Sequence, residues 1–179
     1  MEKEVKGAVF LDRDGVLNED KGYIGALGQL NIFPYAKECI NTIHKKGYWA
    51  IVISNQSGVG RGYFTEKALL RMNQALAEST LVDAIYYCPH YSQGVLLQYN
   101  VECSCRKPKT GLIQKACKDF AIDMEKSCMI GDRAVDIQLG KNVGIKTFLL
   151  ESGYGTKRLE EDVMPDFICK DLREAVKLL

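Results

Sequence analysis

The segment Ala8-Val9-Phe10-Leu11-Asp12-Arg13-Asp14-Gly15 places a short apolar run directly before two carboxylates and a glycine. A continuous apolar run of this kind predicts a strand that is buried on both faces, as in a parallel sheet. Because alternate residues of an extended segment share a face, Asp12 and Asp14 are expected to point to the same side. The segment therefore predicts a parallel strand with acidic side chains at its carboxyl end.

Similar apolar runs, each followed by a turn residue, recur along the chain at 50–53, 84–87, 128–130 and 147–150. Amphipathic patterns predict helices between and after them, at 34–46, from a cap at Thr65, and at 111–120, 135–142 and 171–178. This alternation predicts an α/β fold, with a doubly wound, Rossmann-like parallel sheet and helices on both faces. We expect residues 1–179 to form a single domain. Two long segments, 18–33 and 88–109, interrupt the alternation and are expected to be functional loops.

The composition restricts the class of protein. Hydrophobic residues make up 46% and charged residues 26%, which is typical of a soluble globular protein. With 24 basic and 23 acidic residues the net charge is +1, so bulk charge predicts no binding to nucleic acid or to a membrane surface. No stretch of about 18 apolar residues or signal sequence is present, and we expect a cytoplasmic, monomeric protein. Seven cysteines is a high and odd number for that compartment.

A second acidic motif, Gly131-Asp132-Arg133-Ala134-Val135-Asp136, follows a later predicted strand. Open α/β sheets bind ligands beyond the carboxyl ends of their strands, so the acidic groups of both motifs are expected to meet. Carboxylates that meet repel one another unless a divalent cation neutralises them, and Mg²⁺ accepts such ligands together with phosphate oxygens. Asp, Asn and Gly often follow strands simply because turns require them, and this alternative would account for the motif at 12–15 or the motif at 131–136 taken alone. Both motifs together, with Ser54-Asn55-Gln56-Ser57-Gly58 after the second strand, favour a site.

Cysteine and histidine residues cluster in the second long loop. Cys88-Pro89-His90 and Cys103-Ser104-Cys105 place four of the nine Cys and His residues within 18 positions, where uniform scatter gives about one. Three cysteines and one histidine form a closed, structural Zn²⁺ set, although pairs this tight are unusual and buried cysteines are the alternative. Such a zinc-stabilised loop would fix Arg106 and Lys107, which follow directly. Three other cysteines fall on apolar faces and are expected in the core: Cys39, Cys117 and Cys128.

Taken in order, these motifs resemble the four motifs of the haloacid dehalogenase (HAD) superfamily over nearly the whole chain. They are the Asp12-Arg13-Asp14-Gly15 segment, Ser54 after the second strand, Lys107 ahead of a helix, and Gly131-Asp132 with Asp136. The resemblance implies an HAD fold without a large cap domain and a phosphatase, that is, a phosphoric monoester hydrolase.

The resemblance also implies a role for each motif. Asp12 would be the nucleophile that forms an aspartyl-phosphate, and Asp14 the general acid and base. Ser54 and Lys107 would stabilise the transferring phosphoryl group. Asp136 would orient Lys107 or the water around the metal. The implied Mg²⁺ ligands are Asp12, Asp14 (through its main-chain carbonyl) and Asp132, and the implied Zn²⁺ ligands are Cys88, His90, Cys103 and Cys105.

The cysteine-rich loop resembles one branch of this superfamily, which contains heptose bisphosphate 7-phosphatases and histidinol-phosphate phosphatases. Gly22-Tyr23-Ile24, the segment 55–62 and the twelve residues between His90 and Cys103 resemble the heptose group. The segment 131–139 is closer to the histidinol group. The resemblance therefore implies a phosphorylated sugar substrate, cleaved at the 7-phosphate of D-glycero-D-manno-heptose 1,7-bisphosphate, with histidinol phosphate as the alternative.

Substrate contacts are expected from the entrance loops and the strand ends. The implied substrate-binding residues are Asp20, Lys21, Gly22, Tyr23, Ser54, Asn55, Gln56, Ser57, Arg106, Lys107 and Arg133. A bisphosphate needs a second cationic site, for which Arg106, Arg133 and the amides around Ser57 are candidates. Arg61 is a weaker candidate, which could simply brace its glycine-rich loop. The alternative from another class is a non-catalytic zinc-stabilised binding module, which would have no need of the acidic and lysine motifs.

Overall fold

Six parallel strands form one sheet in the computed structural model, which describes residues 4–155 and 163–179. In chain order they are β1 (Lys6–Leu11), β2 (Trp49–Asn55), β3 (Ala84–Cys88), β4 (Ile122–Gly131), β5 (Lys146–Leu150) and β6 (Phe167–Cys169). The order across the sheet is β3-β2-β1-β4-β5-β6, so the winding direction reverses at β1. The neighbours of β1 are β2 and β4, and a crevice opens beyond the carboxyl ends of these strands.

In the described part of the chain, five α-helices cover the two faces of the sheet. They are α1 (Ala36–Lys45), α2 (Glu66–Thr80), α3 (Gly111–Asp119), α4 (Ala134–Asn142) and α5 (Leu172–Ala175). Alternate residues of β1 serve opposite faces: Val9 and Leu11 pack with α1 and α5, whereas Ala8 and Phe10 pack with α3 and α4. The predicted doubly wound α/β sheet with helices on both faces is confirmed.

The edges of the sheet differ from the prediction. Strand β6 was not predicted, because two of its three residues, Phe167 and Ile168, are exposed and leave no buried run. Strand β4 begins at Ile122, before the predicted segment 128–130, and its polar first half pairs with β1 around a bulge. The final helix, predicted over 171–178, is confined to α5.

Helix α2 begins where its sequence predicts. Thr65 precedes it, and the Thr65 hydroxyl accepts a hydrogen bond from the Ala68 amide at 3.2 Å. The predicted inner residues are buried, except for Ala75, which is half-buried: Leu69, Met72 and Leu76. The polar Asn73 lies on this buried face as well and is only 7% exposed.

Two of the three cysteines expected in the core, Cys39 and Cys128, are buried there. The third prediction is wrong: Cys117 is exposed. It lies on the outer side of α3, whose inner residues are Leu112, Ile113 and Ala116.

Both long loops contain little regular structure. Loop 18–33 holds a single 3-10 turn at Leu27–Gln29, and loop 88–109 holds one at Leu97–Tyr99. The described residues contain no inserted cap domain, and none of their helices has the length and apolar character that crossing a membrane requires. Residues 1–3, part of the charged start of the chain, lie outside the described residues.

Candidate active site

Three adjacent strands bring the predicted catalytic groups together at the crevice. Asp12 follows β1, Ser54 belongs to the last residues of β2, and Asp132 follows β4. Lys107 arrives from the long loop after β3 and is only 3% exposed. Its ammonium group lies 2.9 Å from Asp12 Oδ1 and 2.6 Å from Asp136 Oδ1, and it donates to the Ile53 carbonyl at 2.8 Å. Lys107 is thus fully engaged at the bottom of the crevice.

Three buried carboxylates surround this lysine. Asp12, Asp132 and Asp136 each offer an oxygen within 4.8 Å of the others. Burial, with repulsion from Asp136, raises the pKa of Asp12 to about 7 even though Lys107 opposes the shift. Burial and the neighbouring carboxylates Asp12 and Asp136 raise the pKa of Asp132 to about 8. Burial alone would lower the pKa of Lys107, but Asp12 and Asp136 raise it. One lysine therefore does not neutralise three carboxylates.

The donor set of this cluster fits a divalent cation. Asp132 Oδ1 is buried without a hydrogen-bond partner, while Oδ2 accepts from the Tyr154 amide at 3.0 Å. Gly15, at φ +83°, approaches so closely that a Cβ there would lie 2.3 Å from Asp132 Oδ2. Oxygen ligands from two carboxylates with free coordination positions suit Mg²⁺. Asp12 and Asp132 are the predicted ligands that the structure brings together through their side chains.

The Asp14 carboxylate is held by a separate network and does not belong to the cluster of three carboxylates. It accepts hydrogen bonds from Asn18 Nδ2 at 2.8 Å, from Gln56 Nε2 at 2.9 Å and from the guanidinium of Arg13. Gln56 also donates to the Ser54 hydroxyl at 2.8 Å, so Ser54 is buried beneath the cavity surface. Sequence reasoning missed Arg13 and Asn18, although the position of an arginine between two carboxylates was a usable signal.

A cavity of about 680 Å³ opens above these groups, with Asp12, Asp14 and Lys107 in its lining. Most of the predicted substrate-binding residues line it: Gly22, Tyr23, Asn55, Gln56, Ser57, Arg106, Lys107 and Arg133. Asp20 and Lys21 do not, because they lie beside a neighbouring depression, and the Asp20 carboxylate forms an ion pair with Arg133. Phe64 and Tyr154 line the main cavity without having been predicted.

Three arginines surround the cavity. The Arg61 guanidinium lies 3.6 Å from the centre of the Tyr91 ring, and Arg106 lies 5.8 Å from the same ring. Arg133, whose side chain is 43% exposed, lies 4.3 Å from the Tyr154 ring. Aromatic rings hold guanidinium groups without using their hydrogen-bond donors. Arg106 also donates to the His90 carbonyl at 3.4 Å, and Arg133 donates to Asp20, but a guanidinium has five N–H donors, so these arginines retain donors for an anionic ligand.

The four predicted zinc ligands converge in loop 88–109. The Sγ atoms of Cys88 and Cys103 are 3.5 Å apart, and His90 Nδ1 lies 3.7 Å from Cys88 Sγ and 3.2 Å from Cys105 Sγ. A tetrahedral Zn²⁺ with ordinary bond lengths sets its ligand atoms about 3.5–3.8 Å apart. Since all four atoms lie within 4.8 Å of one another, this Cys₃His set fits a closed metal site.

A carboxylate outside the metal cluster also anchors this loop. Glu66, in the first turn of α2, accepts hydrogen bonds from the hydroxyls of Tyr87 at 2.9 Å and Tyr99 at 2.7 Å. Tyr87 belongs to β3 and Tyr99 to the 3-10 turn of the loop. The loop is therefore attached to α2 independently of its metal ligands.

Comparison with known proteins agrees with this geometry. A model of the HAD-hydrolase-like family matches residues 104–175. The D-glycero-beta-D-manno-heptose-1,7-bisphosphate 7-phosphatase of Haemophilus ducreyi is 39% identical over 151 residues, which are 81% of this chain and 82% of the relative. The chain belongs to the heptose bisphosphate phosphatase family of HAD-like hydrolases.

Two further heptose bisphosphate phosphatases extend the match to almost the full chain. The enzyme of the same name from Pasteurella multocida is 36% identical over 183 residues, 98% of this chain and 97% of the relative. The structure of D,D-heptose 1,7-bisphosphate phosphatase from B. bronchiseptica, complexed with magnesium and phosphate, aligns with a TM-score of 0.82 at 27% identity. The alignment with this structure covers 96% of this chain and 97% of the neighbour. The predicted family, and the heptose group within it, are confirmed.

Proposed function

We propose that this chain is a Mg²⁺-dependent phosphatase that hydrolyses the 7-phosphate of D-glycero-D-manno-heptose 1,7-bisphosphate through an aspartyl-phosphate on Asp12. The observation that supports this proposal most is the contact of Asp12 with Lys107 beside Asp132, in the lining of a cavity with arginines around it. The relatives named above are heptose bisphosphate phosphatases, and none of the three is named for histidinol phosphate.

In the first half-reaction a carboxylate oxygen of Asp12 attacks phosphorus, and the bond from phosphorus to the sugar oxygen breaks. Lys107 uses its three N–H groups on Asp12, Asp136 and the Ile53 carbonyl, so the one that contacts Asp12 Oδ1 at 2.9 Å must pass to a phosphoryl oxygen as that carboxylate attacks and charge develops on the phosphoryl group. Asp136, which contacts the same ammonium group, orients it. Ser54, which lies beneath the cavity surface, accepts a hydrogen bond from Gln56 and so helps to position the Gln56 amide in the cavity lining.

Proton transfer falls to Asp14, which also lines the cavity. Its carboxylic acid supplies a proton to the departing sugar oxygen, and the resulting carboxylate then removes a proton from water. That water attacks phosphorus, phosphate leaves, and the Asp12 carboxylate is regenerated. One residue thus serves both half-reactions.

Asp12, Asp132 and the main-chain carbonyl of Asp14 would hold Mg²⁺, which when bound neutralises the phosphate and the carboxylates that face it. This assignment agrees with the unpartnered Asp132 Oδ1 and the raised pKa values of Asp12 and Asp132. It leaves Asp136 with Lys107 as its partner.

The phosphate that is not cleaved requires a second cationic site. We assign it to Arg106 and Arg133, as expected, together with Arg61, because all three line the cavity. Tyr91 supports both Arg61 and Arg106 through its ring. Asp20 then acts through Arg133 and makes no direct contact with the sugar. We assign no substrate contact to Lys21, which forms an ion pair with Glu19.

Zinc is the metal that we propose for the Cys₃His site, in a structural role. Four protein ligands leave no open coordination position. The site immediately precedes Arg106 and Lys107, so its metal fixes the two cations that face phosphate. Thiolate ligands of this kind agree with a cytoplasmic, reducing location, and we further propose that residues 1–179 act as one monomeric domain.

Steady-state kinetics test this proposal. Both anomers of the heptose bisphosphate and histidinol phosphate are compared with and without Mg²⁺, for the parent enzyme and for Asp12→Asn. We expect Mg²⁺-dependent phosphate release that Asp12→Asn abolishes, with a preference of at least about tenfold in kcat/KM for one heptose anomer over histidinol phosphate. A preference for histidinol phosphate would overturn the substrate assignment, and activity retained by Asp12→Asn would overturn the nucleophile.

A further inference from the structure

The buried Arg13 guanidinium connects the Asp14 carboxylate to a helix that the proposed mechanism does not use. Arg13 is 1% exposed, and its Nη2 donates to the two oxygens of Asp14 at 3.0 and 3.1 Å. Its Nη1 donates to the side-chain oxygen of Asn73, on α2, at 3.1 Å. One guanidinium therefore spans the distance from the catalytic loop to the interior of α2.

Asn73 interrupts the apolar buried face of α2. It lies between Leu69, Met72 and Leu76, which are fully buried, and is itself only 7% exposed. A buried amide destabilises a protein unless it forms hydrogen bonds, so an asparagine at this position needs a specific partner. The partner of its side-chain oxygen is Arg13.

The orientation of Asp14 depends on where this guanidinium is held. Arg13 Nε also donates to Asp14 Oδ1, at 3.2 Å, so Nε and Nη2 form a planar fork that matches the carboxylate in one relative orientation. Rotation of the guanidinium would break this fork and leave Asp14 held by Asn18 and Gln56 alone, in a changed orientation. Gln56 accepts from Arg13 Nη2 at 3.2 Å, whereas Nη1 is bonded to Asn73. Without an acceptor at position 73, a buried N–H of Arg13 would lack its partner, and the guanidinium would turn to find another.

We propose that Asn73 is a positioning residue for proton transfer by Asp14, acting through Arg13. The inference rests on the proposed function, in which Asp14 protonates the leaving oxygen. Asn73 is absent from the cavity lining, so its effect on the reaction passes through Arg13 and not through a substrate contact.

The test separates protonation of the leaving group from general loss of structure. 4-Nitrophenyl, phenyl and benzyl phosphate differ much more in the basicity of the leaving oxygen than in shape. A defect in general-acid catalysis lowers kcat/KM most for the most basic leaving group, whereas a folding defect lowers it equally for all three. The variants are Asn73→Leu, which removes the acceptor, and Asn73→Asp, which retains an oxygen at the same place.

Thr80→Val is the matched control. Thr80 is fully buried on the same helix, and its hydroxyl donates only to the Leu76 carbonyl, at 2.7 Å. This variant removes a buried hydrogen bond from α2 without touching Arg13. It should change kcat/KM by the same factor for all three esters.

For Asn73→Leu we expect a loss of about tenfold or more in kcat/KM on benzyl phosphate and of no more than about threefold on 4-nitrophenyl phosphate. Asn73→Asp should remain within about threefold of the parent on all three esters. If Asn73→Leu does not fold, Arg13→Lys, whose single ammonium group cannot bridge both partners, should show the same leaving-group dependence.

A uniform loss across the series in Asn73→Leu, as in Thr80→Val, would overturn the positioning role alone. The same result from Asn73→Asp as from Asn73→Leu would overturn it too. An inactive parent, or an Asp12→Asn variant that keeps its activity on these esters, would overturn the proposed function and this inference together.

Discussion

Lys107 Nζ lies 2.6 Å from Asp136 Oδ1, and both side chains are withdrawn from solvent. The lysine comes from a loop and the aspartate from the first turn of α4, so their contact joins two parts of the site that no strand connects. Asp136 uses its other oxygen to accept the Arg133 amide at 3.1 Å. Asp136 Oδ1 thus has a cation in close contact, whereas the nearest cation to Asp132 Oδ1 is Arg133 Nε at 4.0 Å, which distinguishes Asp136 from Asp132.

Asp136→Asn should lower kcat by about 10- to 100-fold while leaving the Mg²⁺ concentration for half-maximal activity within about threefold of the parent. The amide weakens the hold on Lys107 but leaves both proposed metal ligands in place. Kinetics at varied Mg²⁺ measure both quantities, and the inactive Asp132→Asn variant is the control whose Tm should no longer rise on addition of Mg²⁺. A similar loss of Mg²⁺ dependence in Asp136→Asn would identify Asp136 as a metal ligand.

Asp132→Asn should make the metal-free protein more stable at pH 8, by about 2 kcal/mol in the free energy of unfolding, while abolishing activity. It removes one of three crowded carboxylates, whose burial and mutual repulsion raise the pKa of Asp132 to about 8. Denaturant titrations of both proteins in chelator provide the measurement. A less stable variant would show that Asp132 is not under electrostatic strain without its metal.

The stabilisation by Mg²⁺ should depend on pH. Asp12 and Asp132 have pKa values raised to about 7 and about 8 from 3.8, so the folded metal-free protein binds protons that the unfolded chain does not. The stability that this contributes is lost progressively as pH rises from 3.8, the pKa in the unfolded chain, to the folded-state values of about 7 and about 8, and a bound cation restores it. The Mg²⁺-induced rise in Tm should therefore be largest near pH 8 and small near pH 5. An equal rise at both pH values would contradict the proposed ligands.

Cys105→Ala should release the loop metal and lower kcat/KM by about tenfold or more, because Arg106 and Lys107 follow the site directly. Cys117→Ala is the matched control, since Cys117 is exposed and does not belong to the cluster. Metal content by elemental analysis and Tm are measured alongside the kinetics. One zinc per chain in the parent and in Cys117→Ala, and none in Cys105→Ala, is the expected result. Full activity in metal-free Cys105→Ala would show that the loop needs no metal.

The parts of the fold that could be predicted from sequence are those with a strong local pattern. The apolar runs of β1 and β2 and the apolar face of α1 (Ala36, Cys39, Ile40 and Ile43) consist of residues that become buried, so their sequence pattern predicts these elements and the structure contains them. Strand β6 carried no such signal, because the sheet edge buries only Cys169. The first half of β4 was not predicted either, because it lacks a buried apolar run and is stabilised by its pairing with β1.

The residues of the site also fall into those that a local sequence motif predicts and those that only the tertiary structure reveals. Asp12, Asp132 and the four sulfur and imidazole ligands stand in short motifs, and the topology alone brings their atoms together. Asn73 could not be predicted as part of the site, because it lies one helix away and only the packing of α2 turns it toward Arg13. Asp20 was expected to touch substrate, but the path of its loop turns it toward Arg133.

The pairing of Asp20 with Arg133 gives the entrance an internal counterion. The ion pair uses only one of the guanidinium nitrogens of Arg133, so a phosphate that reaches Arg133 still finds donors, but on a cation whose charge is shared with a carboxylate of the protein. A phosphate bound here shares the guanidinium with Asp20, and we expect it to bind less tightly than it would to an arginine without a counterion. Asp20 therefore lowers the affinity of this position for any anion, which makes the ion pair a restraint on ligand binding as well as a contact between two parts of the entrance.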